Sequence, residues 1–284
     1  MFEENVEIKS VVHFNIGGLA RYFCVVKTIE EMKKAVQFAK DKKVKYFILG
    51  KGSNLLFDDL GFCGLVIQNK IKHLHIDKTT VRVGSGYSFA YLGKKLSQMG
   101  LSGLEFASGI PGTVGGAVYM NASANVQAVE DVLSACTVLM PDGSIVQKTN
   151  QDLSFGYRTS IFQKNEWVIL EVTFKLCKMQ NAANMQKQLL DKRLSTQPYR
   201  AKSAGCCFKN PSQKLSAGQL IEECGLKGFS IGDAIISKKH ANFILNKNNA
   251  SSKDVKKLIE TVQKKVKAKK GVDLELEIEV IDHV

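Results

Sequence analysis

Two glycine-rich segments of the 284-residue chain have the composition of loops that cradle a ligand. The first, Gly50-Lys51-Gly52-Ser53-Asn54-Leu55-Leu56, directly follows the apolar run Val44 to Leu49, which reads as a short buried strand. Glycines there let the backbone approach a ligand closely, and successive free N–H groups form an anion nest. The second, Ser108-Gly109-Ile110-Pro111-Gly112-Thr113-Val114-Gly115-Gly116-Ala117, runs into small and apolar residues and suits a pyrophosphate beside a helix N-terminus. Either alone reads equally as a tight turn; the pair is far more informative. Neither a P-loop nor a Rossmann motif fits, since the first segment lacks the closing Gly-Lys-[Ser/Thr] and no G-x-G-x-x-G opens a helix after it. The seven cysteines show no C-x-x-C spacing, so neither a zinc site nor a disulfide framework is assigned.

The elements that must hold these loops are legible from pattern. Thr28-Ile29-Glu30-Glu31 is a capping box, with Ile29, Met32, Val36 and Ala39 on one stripe of a helix over 29–41. Residues 64–68 and 80–84 read as strands, and Ser88 caps a helix carrying Leu92, Leu96 and Met99 up to Gly100. Residues 132–140 and 145–148 flank Pro141-Asp142-Gly143-Ser144 as a hairpin, and Trp167 to Leu176 is a strand. The polar stretch Lys178 to Asn184 marks a boundary. Helices near 184–194 and 216–224 follow, then a long amphipathic helix from Ser251 with Val255, Leu258, Ile259, Val262 and Val266 inside. A last strand is expected over Leu274–Val280, whose strict alternation sets Glu275, Glu277 and Glu279 on one face. The alternation of short strands and helices indicates an α+β or α/β protein in two parts, divided at 178/179.

Composition bounds the function. With 40 Lys+Arg against 27 Asp+Glu the formal charge is +13, which invites a nucleic-acid reading. Much of the surplus is the lysine series from Lys253 to Lys270, which falls on the outer faces of the amphipathic helix and contains no aromatic for base stacking. A solvated helix surface is the better reading, so no nucleic-acid partner is assigned. No apolar run reaches the roughly 18 residues of a membrane span. The start, Met1-Phe2-Glu3-Glu4, is acidic where a signal peptide is basic and then apolar. A cytoplasmic enzyme without membrane insertion is expected.

The glycine pair resembles the FAD-binding domain of the vanillyl-alcohol-oxidase type. Further segments narrow the resemblance to the UDP-N-acetylenolpyruvoylglucosamine reductase family, in the shorter of its two forms. They are Asn15 to Ala20, Gly109 to Ala122, Tyr157-Arg158-Thr159-Ser160, Gln197-Pro198, Phe208-Lys209-Asn210-Pro211, Ala217 to Glu222, Gly225 to Gly228, His240-Ala241-Asn242-Phe243 and Gly271-Val272-x-Leu274-Glu275. The resemblance implies an α+β fold: a two-subdomain FAD-binding part over 1–178 and an α+β substrate domain over 179–284. It implies non-covalent FAD held by Gly50, Gly52, Ser53, Asn54, Leu55, Gly109, Pro111, Gly112, Thr113, Gly115 and Gly116. NADPH would be the co-substrate, and the enolpyruvyl ether of UDP-N-acetylglucosamine would be reduced to UDP-N-acetylmuramate for peptidoglycan. A flavin oxidase of the same superfamily, acting on another small substrate, is the alternative.

The same resemblance implies three catalytic residues. Arg158 matches the family's arginine, a permanent cation able to fork onto a carboxylate. Glu277 matches the family's glutamate, although Glu275 and Glu279 lie close enough in register to take its place. Cys206, in Gly205-Cys206-Cys207-Phe208, departs from the family's usual serine. A thiol, with reference pKa about 8.5, is a stronger acid than an alcohol and can serve as the proton donor. Tyr157, Lys209, Asn210, His240 and Asn242 are the implied substrate contacts.

Overall fold

The computed structural model describes residues 2–283. The chain forms two compact units, each assembled from separated stretches. Cys24–Gly50 with Ile67–Ser195 makes the first; Phe2–Phe23, Lys51–Val66 and the residues from Thr196 onward make the second. The divisions at Phe23/Cys24 and Val66/Ile67 fall inside the strands Leu19–Val26 and Phe62–Asn69.

The first unit is built on a five-stranded antiparallel sheet. Its spatial order is Ile145–Thr149, Leu133–Leu139, Val168–Lys175, Thr80–Gly84 and Leu74–Asp77. Val168–Lys175 is central and has almost no exposed side chain, which accounts for its continuous apolar run. Helix α1 (Ile29–Asp41) starts where the capping box places it: the Thr28 hydroxyl accepts the Glu31 N–H at 3.1 Å, and Glu31 Oε2 accepts the Lys27 N–H at 2.6 Å. Helix α2 (Phe89–Gln98) buries Phe89, Leu92 and Leu96. Helix α3 (Val114–Tyr119) is short and packs on Thr80–Gly84 and Val168–Lys175, with Val114, Ala117 and Val118 in the same core as Phe106, Val172 and Phe174. Helix α4 spans Ala182–Thr196.

The second unit carries a four-stranded antiparallel sheet ordered Ser203–Cys206, Phe243–Asn246, Ala234–Ile236 and Ser230–Ile231. Helices α5 (Ala217–Glu223) and α6 (Ser252–Lys270) pack beside one another, and α6 lies on the strands Ser230–Ile231 and Ala234–Ile236. The inner face of α6 is the one read from the pattern: Val255, Leu258, Ile259, Val262 and Val266 are buried with Phe14, Phe208, Leu274 and Ile278. A Ser251–Asp254 capping box starts α6, and Gly271 ends it in the left-handed conformation. Most of its lysines are exposed, so the basic surplus lies on the solvent face. No helix among the described residues is long and apolar enough to cross a membrane.

The C-terminal stretch departs from the single strand expected over 274–280. Leu276 forms an isolated bridge with Phe208, Ile278 is a bend, and a regular strand exists only over Glu279–Ile281. The cause is a change of partner. Residues 275–277 bond to 207–209, whereas Glu279–Ile281 runs parallel to Leu55–Phe57. The three glutamates therefore do not share one face: Glu275 is 77% exposed and faces Lys209, while Glu277 and Glu279 are half-buried.

Candidate functional site

In the first unit the start of one glycine loop touches the other. A Cβ on Gly50 would lie 2.6 Å from Thr113 Oγ1, so the position accepts only glycine while Thr113 stays in place. Thr113 is fixed by its own work: its side chain caps α3 by accepting the Gly116 N–H at 3.4 Å, and Ser88 and Thr113 form an isolated bridge. The neighbouring N–H groups of Val114 and Gly115 are engaged by the carbonyls of Tyr87 and Ser85 at 2.9 and 2.8 Å, which pins Pro111–Gly116 against the end of Thr80–Gly84. At the head of the loop the Ser108 hydroxyl is buried without a hydrogen-bond partner, as is Oε1 of the fully buried Glu105. Native proteins keep such orphans rare. An unsatisfied hydroxyl beside a glycine-rich backbone fits a polar group such as the phosphates of a dinucleotide, and FAD meets that description.

The Tyr157-Arg158 pair occupies the corner of a two-residue turn in the same unit. Gly156 and Thr159 exchange both backbone hydrogen bonds at 3.1 Å, and Arg158 has φ 58°. The Arg158 Nη1 donates to Ser123 Oγ at 2.6 Å, and the guanidinium lies 5.2 Å from the Tyr157 ring centroid. The turn is tied down by Asn121, whose amide donates to the Gly156 carbonyl at 3.0 Å and to Glu130 Oε1 at 2.9 Å. Tyr157 is itself half-exposed. The result is a cation whose orientation is fixed by Ser123 and the Tyr157 ring.

The second unit gathers the rest of the first glycine loop, the Gly205–Phe208 segment and Glu277. Gly52 has φ +61°, and a Cβ there would sit 2.5 Å from Val12 Cγ1; its carbonyl accepts the His13 N–H at 3.2 Å. Burial and the nearby Lys51 hold His13 below its ordinary pKa, so it is neutral at pH 7. Asn54 brackets the glutamate: its side-chain amide donates to the Glu277 carbonyl at 3.0 Å, and its own carbonyl accepts the Glu279 N–H at 2.9 Å. On the other flank the Glu277 N–H donates to the Cys207 carbonyl at 2.8 Å. Gly205 approaches Ser53: a Cβ at this position would lie 3.8 Å from the Ser53 carbonyl oxygen. Ser53, Asn54, Cys206, Cys207 and Glu277 thus form one neighbourhood. Cys206 is half-buried, whereas Cys207 is fully buried, and burial followed by the charges of Cys206 and Glu277 pushes the Cys207 thiol far up. Cys207 stays a neutral packing residue.

The implied substrate contacts have differing freedom. Lys209 faces Glu275 at 3.5 Å, and Asn210 Oδ1 accepts the Ala217 N–H at 3.1 Å at the start of α5. His240 Nδ1 accepts the Asn242 N–H at 3.3 Å, which assigns the ring proton to Nε2, and the ring meets Phe243 edge-on at 5.0 Å. Asn242 is different. It is buried, its Oδ1 accepts the Phe208 N–H at 2.9 Å, and its Nδ2 donates to the Phe208 carbonyl at 2.8 Å. Both polar ends of that side chain are engaged by backbone, so it positions the Cys206–Phe208 segment and offers no polar atom outward. Sequence reasoning passed over Ser108, Asn121 and Ser123. Ser108 opens the second glycine-rich segment and Asn121 lies in the stretch Gly109 to Ala122, but nothing local marks an asparagine as the tie of a turn 35 residues away.

Comparison with known proteins agrees with this layout. The profile of an FAD binding domain matches residues 20–149, and that of the UDP-N-acetylenolpyruvoylglucosamine reductase C-terminal domain matches residues 197–281. A UDP-N-acetylenolpyruvoylglucosamine reductase of Protochlamydia amoebophila is 47% identical over 99% of this chain and 94% of its own length. That of Chlamydia abortus is 48% identical over 95% of this chain and 91% of its own. The crystal structure of the UDP-N-acetylenolpyruvylglucosamine reductase of Thermus caldophilus superposes with a TM-score of 0.86 at 38% identity, covering 99% of this chain and 100% of that one.

Proposed function

Since the chain belongs to the UDP-N-acetylenolpyruvoylglucosamine reductase family, we propose that it reduces the enolpyruvyl ether of UDP-N-acetylglucosamine to UDP-N-acetylmuramate, with FAD as cofactor and NADPH as reductant, in the cytoplasm. Functionally, residues 1–178 are the FAD-binding part and 179–284 the substrate part; this division follows ligand roles and differs from the compact units. FAD is held through Gly50, Gly52, Ser53, Asn54, Leu55 and the segment Gly109–Gly116, with the Ser108 hydroxyl as a further donor. Bound FAD supplies hydride transfer from NADPH to the enolpyruvyl double bond.

The protein's own groups handle charge and protons. Hydride addition builds enolate charge beside a carboxylate, and fixed positive charge lowers that barrier. Arg158 supplies it, pre-oriented by Ser123 so that little reorganisation is needed. Cys206 donates the proton to the neighbouring carbon through its Sγ–H. Glu277 helps stabilise the enol through a hydrogen bond, and Asn54 and Cys207 fix its backbone. Tyr157, Lys209, Asn210 and His240 contact the uridine diphosphate sugar, and Asn242 positions rather than binds.

The observation that carries the chemical assignment is the pairing of Glu277 N–H with the Cys207 carbonyl, which sets the glutamate beside the Cys206 segment. Cys206→Ala is expected to permit flavin bleaching by NADPH under anaerobic conditions while stalling turnover of the enolpyruvyl substrate. Normal turnover in that variant removes Cys206 from the mechanism. Protein that is colourless and cannot be reconstituted with FAD overturns the whole reading.

A further inference from the structure

In the first unit, the hairpin that carries Ser123 projects an apolar side chain that the fold itself does not use. Its neck is closed rung by rung. Asn121 and Glu130 exchange two hydrogen bonds, the Glu130 N–H to Asn121 Oδ1 at 3.1 Å and the Asn121 amide to Glu130 Oε1 at 2.9 Å. The Val129 N–H donates to the Ala122 carbonyl at 3.0 Å, and Ser123–Ala124 pairs antiparallel with Gln127–Ala128. These rungs leave Asn125 and Val126 as the whole turn, and that register holds both in the left-handed region, at φ 53° and 65°. A β-branched residue is poorly suited to that conformation. Val126 stands there all the same, and at 107% relative exposure its side chain is entirely in solvent. It combines backbone strain with an apolar surface given to water, and no packing among the described residues offsets either. Strain of this kind gathers at active sites and ligand clamps, held in place by surroundings that fix the backbone.

The root of the same hairpin holds the cation of the proposed reaction. Ser123 accepts Arg158 Nη1 on its hydroxyl at 2.6 Å and Nη2 on its carbonyl at 3.4 Å, and Asn121 fastens the Arg158 turn through the Gly156 carbonyl at 3.0 Å. Arg158 and the hairpin tip are thus parts of one rigid piece. At about 3.3 Å per residue the two-residue strands carry the tip about 7 Å past its root, so Val126 stands within roughly 10 Å of the guanidinium. A sugar nucleotide whose enolpyruvyl carboxylate sits on Arg158 places its nearest saturated apolar group at a range of that order. This is the methyl of the N-acetyl group, on the ring carbon beside the one that bears the enolpyruvyl ether.

We propose, resting on the reductase assignment, that Val126 is a specificity-determining residue that packs on the N-acetyl methyl group of the substrate. The closed neck fixes its distance from Arg158, so carboxylate and methyl are gripped by one element. Packed against the ligand, the isopropyl group leaves the water that surrounds it in the free protein, and the turn gives up stability for selectivity.

The test compares two sugars on the intact, FAD-loaded protein: the enolpyruvyl ether of UDP-N-acetylglucosamine and its N-formyl analogue, which lacks only that methyl. Perturbation of the oxidised flavin spectrum gives each affinity without NADPH and without turnover. The unaltered protein is expected to bind the N-acetyl sugar about fourfold more tightly, the effect of one buried methyl-sized group. Val126→Gly suits the turn and keeps the fold, and its preference should fall to within about 1.5-fold. Val126→Ala keeps a Cβ in the left-handed conformation but loses both methyls, and it should lose the preference as glycine does. Displacement of Arg158 would instead weaken both sugars alike and leave their ratio unchanged. An unchanged ratio in either variant, or equal affinities in the unaltered protein, overturns the proposal and leaves the reductase assignment standing. Binding of neither sugar by the unaltered protein overturns that assignment, and the proposal with it.

Discussion

Replacing Asn242 by alanine tests how the Cys206–Phe208 segment is held. Phe208 bridges Leu276, and the flanking hydrogen bonds run from Lys209 N–H to the Glu275 carbonyl and from Glu277 N–H to the Cys207 carbonyl. In an antiparallel pair of this kind the residue between those bonds turns its own N–H and C=O to the opposite side. There the Asn242 side chain meets both, standing in for a missing strand. Alanine would leave one buried donor and one buried acceptor unpaired. At about 1–3 kcal/mol for each orphaned group, the loss is about 2–6 kcal/mol. Equilibrium unfolding in urea, followed by circular dichroism, reads it directly. Asn242→Asp makes a sharper control, because it keeps the acceptor for the Phe208 N–H but points a second acceptor at the Phe208 carbonyl. It should cost at least as much as alanine. If the alanine variant loses less than about 1 kcal/mol, water or a neighbour satisfies Phe208 and the side chain is not its necessary partner. The segment leads directly into Cys206, so turnover should fall by more than substrate affinity in the surviving fold.

Gly50→Ala forces a Cβ onto Thr113 Oγ1 at 2.6 Å, and overpacking of this kind costs about 1–3 kcal/mol, so flavin retained after desalting should drop by about tenfold or more. Full flavin content would show that the two loops move apart freely. Val126, at φ 65° beside Asn125 at φ 53°, is a β-branched residue in a two-residue hairpin turn that favours Asn-Gly. Val126→Gly relieves about 1–2 kcal/mol of left-handed strain against about 0.5–1 kcal/mol of added chain entropy, for a net gain of about 0.5–1 kcal/mol, and a lower melting temperature would contradict it. Asp58 is held below the ordinary carboxylate pKa by the Leu60 N–H and then by Lys256. Its contribution to stability is therefore complete above pH 3.8 and lost as the pH falls through the lowered folded value. Asp58→Asn should flatten that part of the acid limb of a stability-versus-pH curve, and an unaltered limb would count against the pairing.

The sequence by itself determined the family, the α+β class and the elements whose signals are local. Thr28 to Glu31 announces α1, the stripe from Val255 to Val266 gives the buried face of α6, and the turn at Pro141–Ser144 joins the strands Leu133–Leu139 and Ile145–Thr149. Caps, periodicity and turn residues act within a few positions of one another, so the chain displays them directly. Tertiary structure alone decided the course of the C-terminal glutamates. Alternation from Leu274 to Val280 promises one strand, but residues 275–277 and 279–281 bond to different partners, and the bend at Ile278 separates Glu275 from Glu277. It also turned Asn242 inward and set Gly50 against Thr113. Each of these depends on which backbone groups a distant segment leaves unpaired or how closely it approaches, and side-chain pattern along the chain carries no record of either.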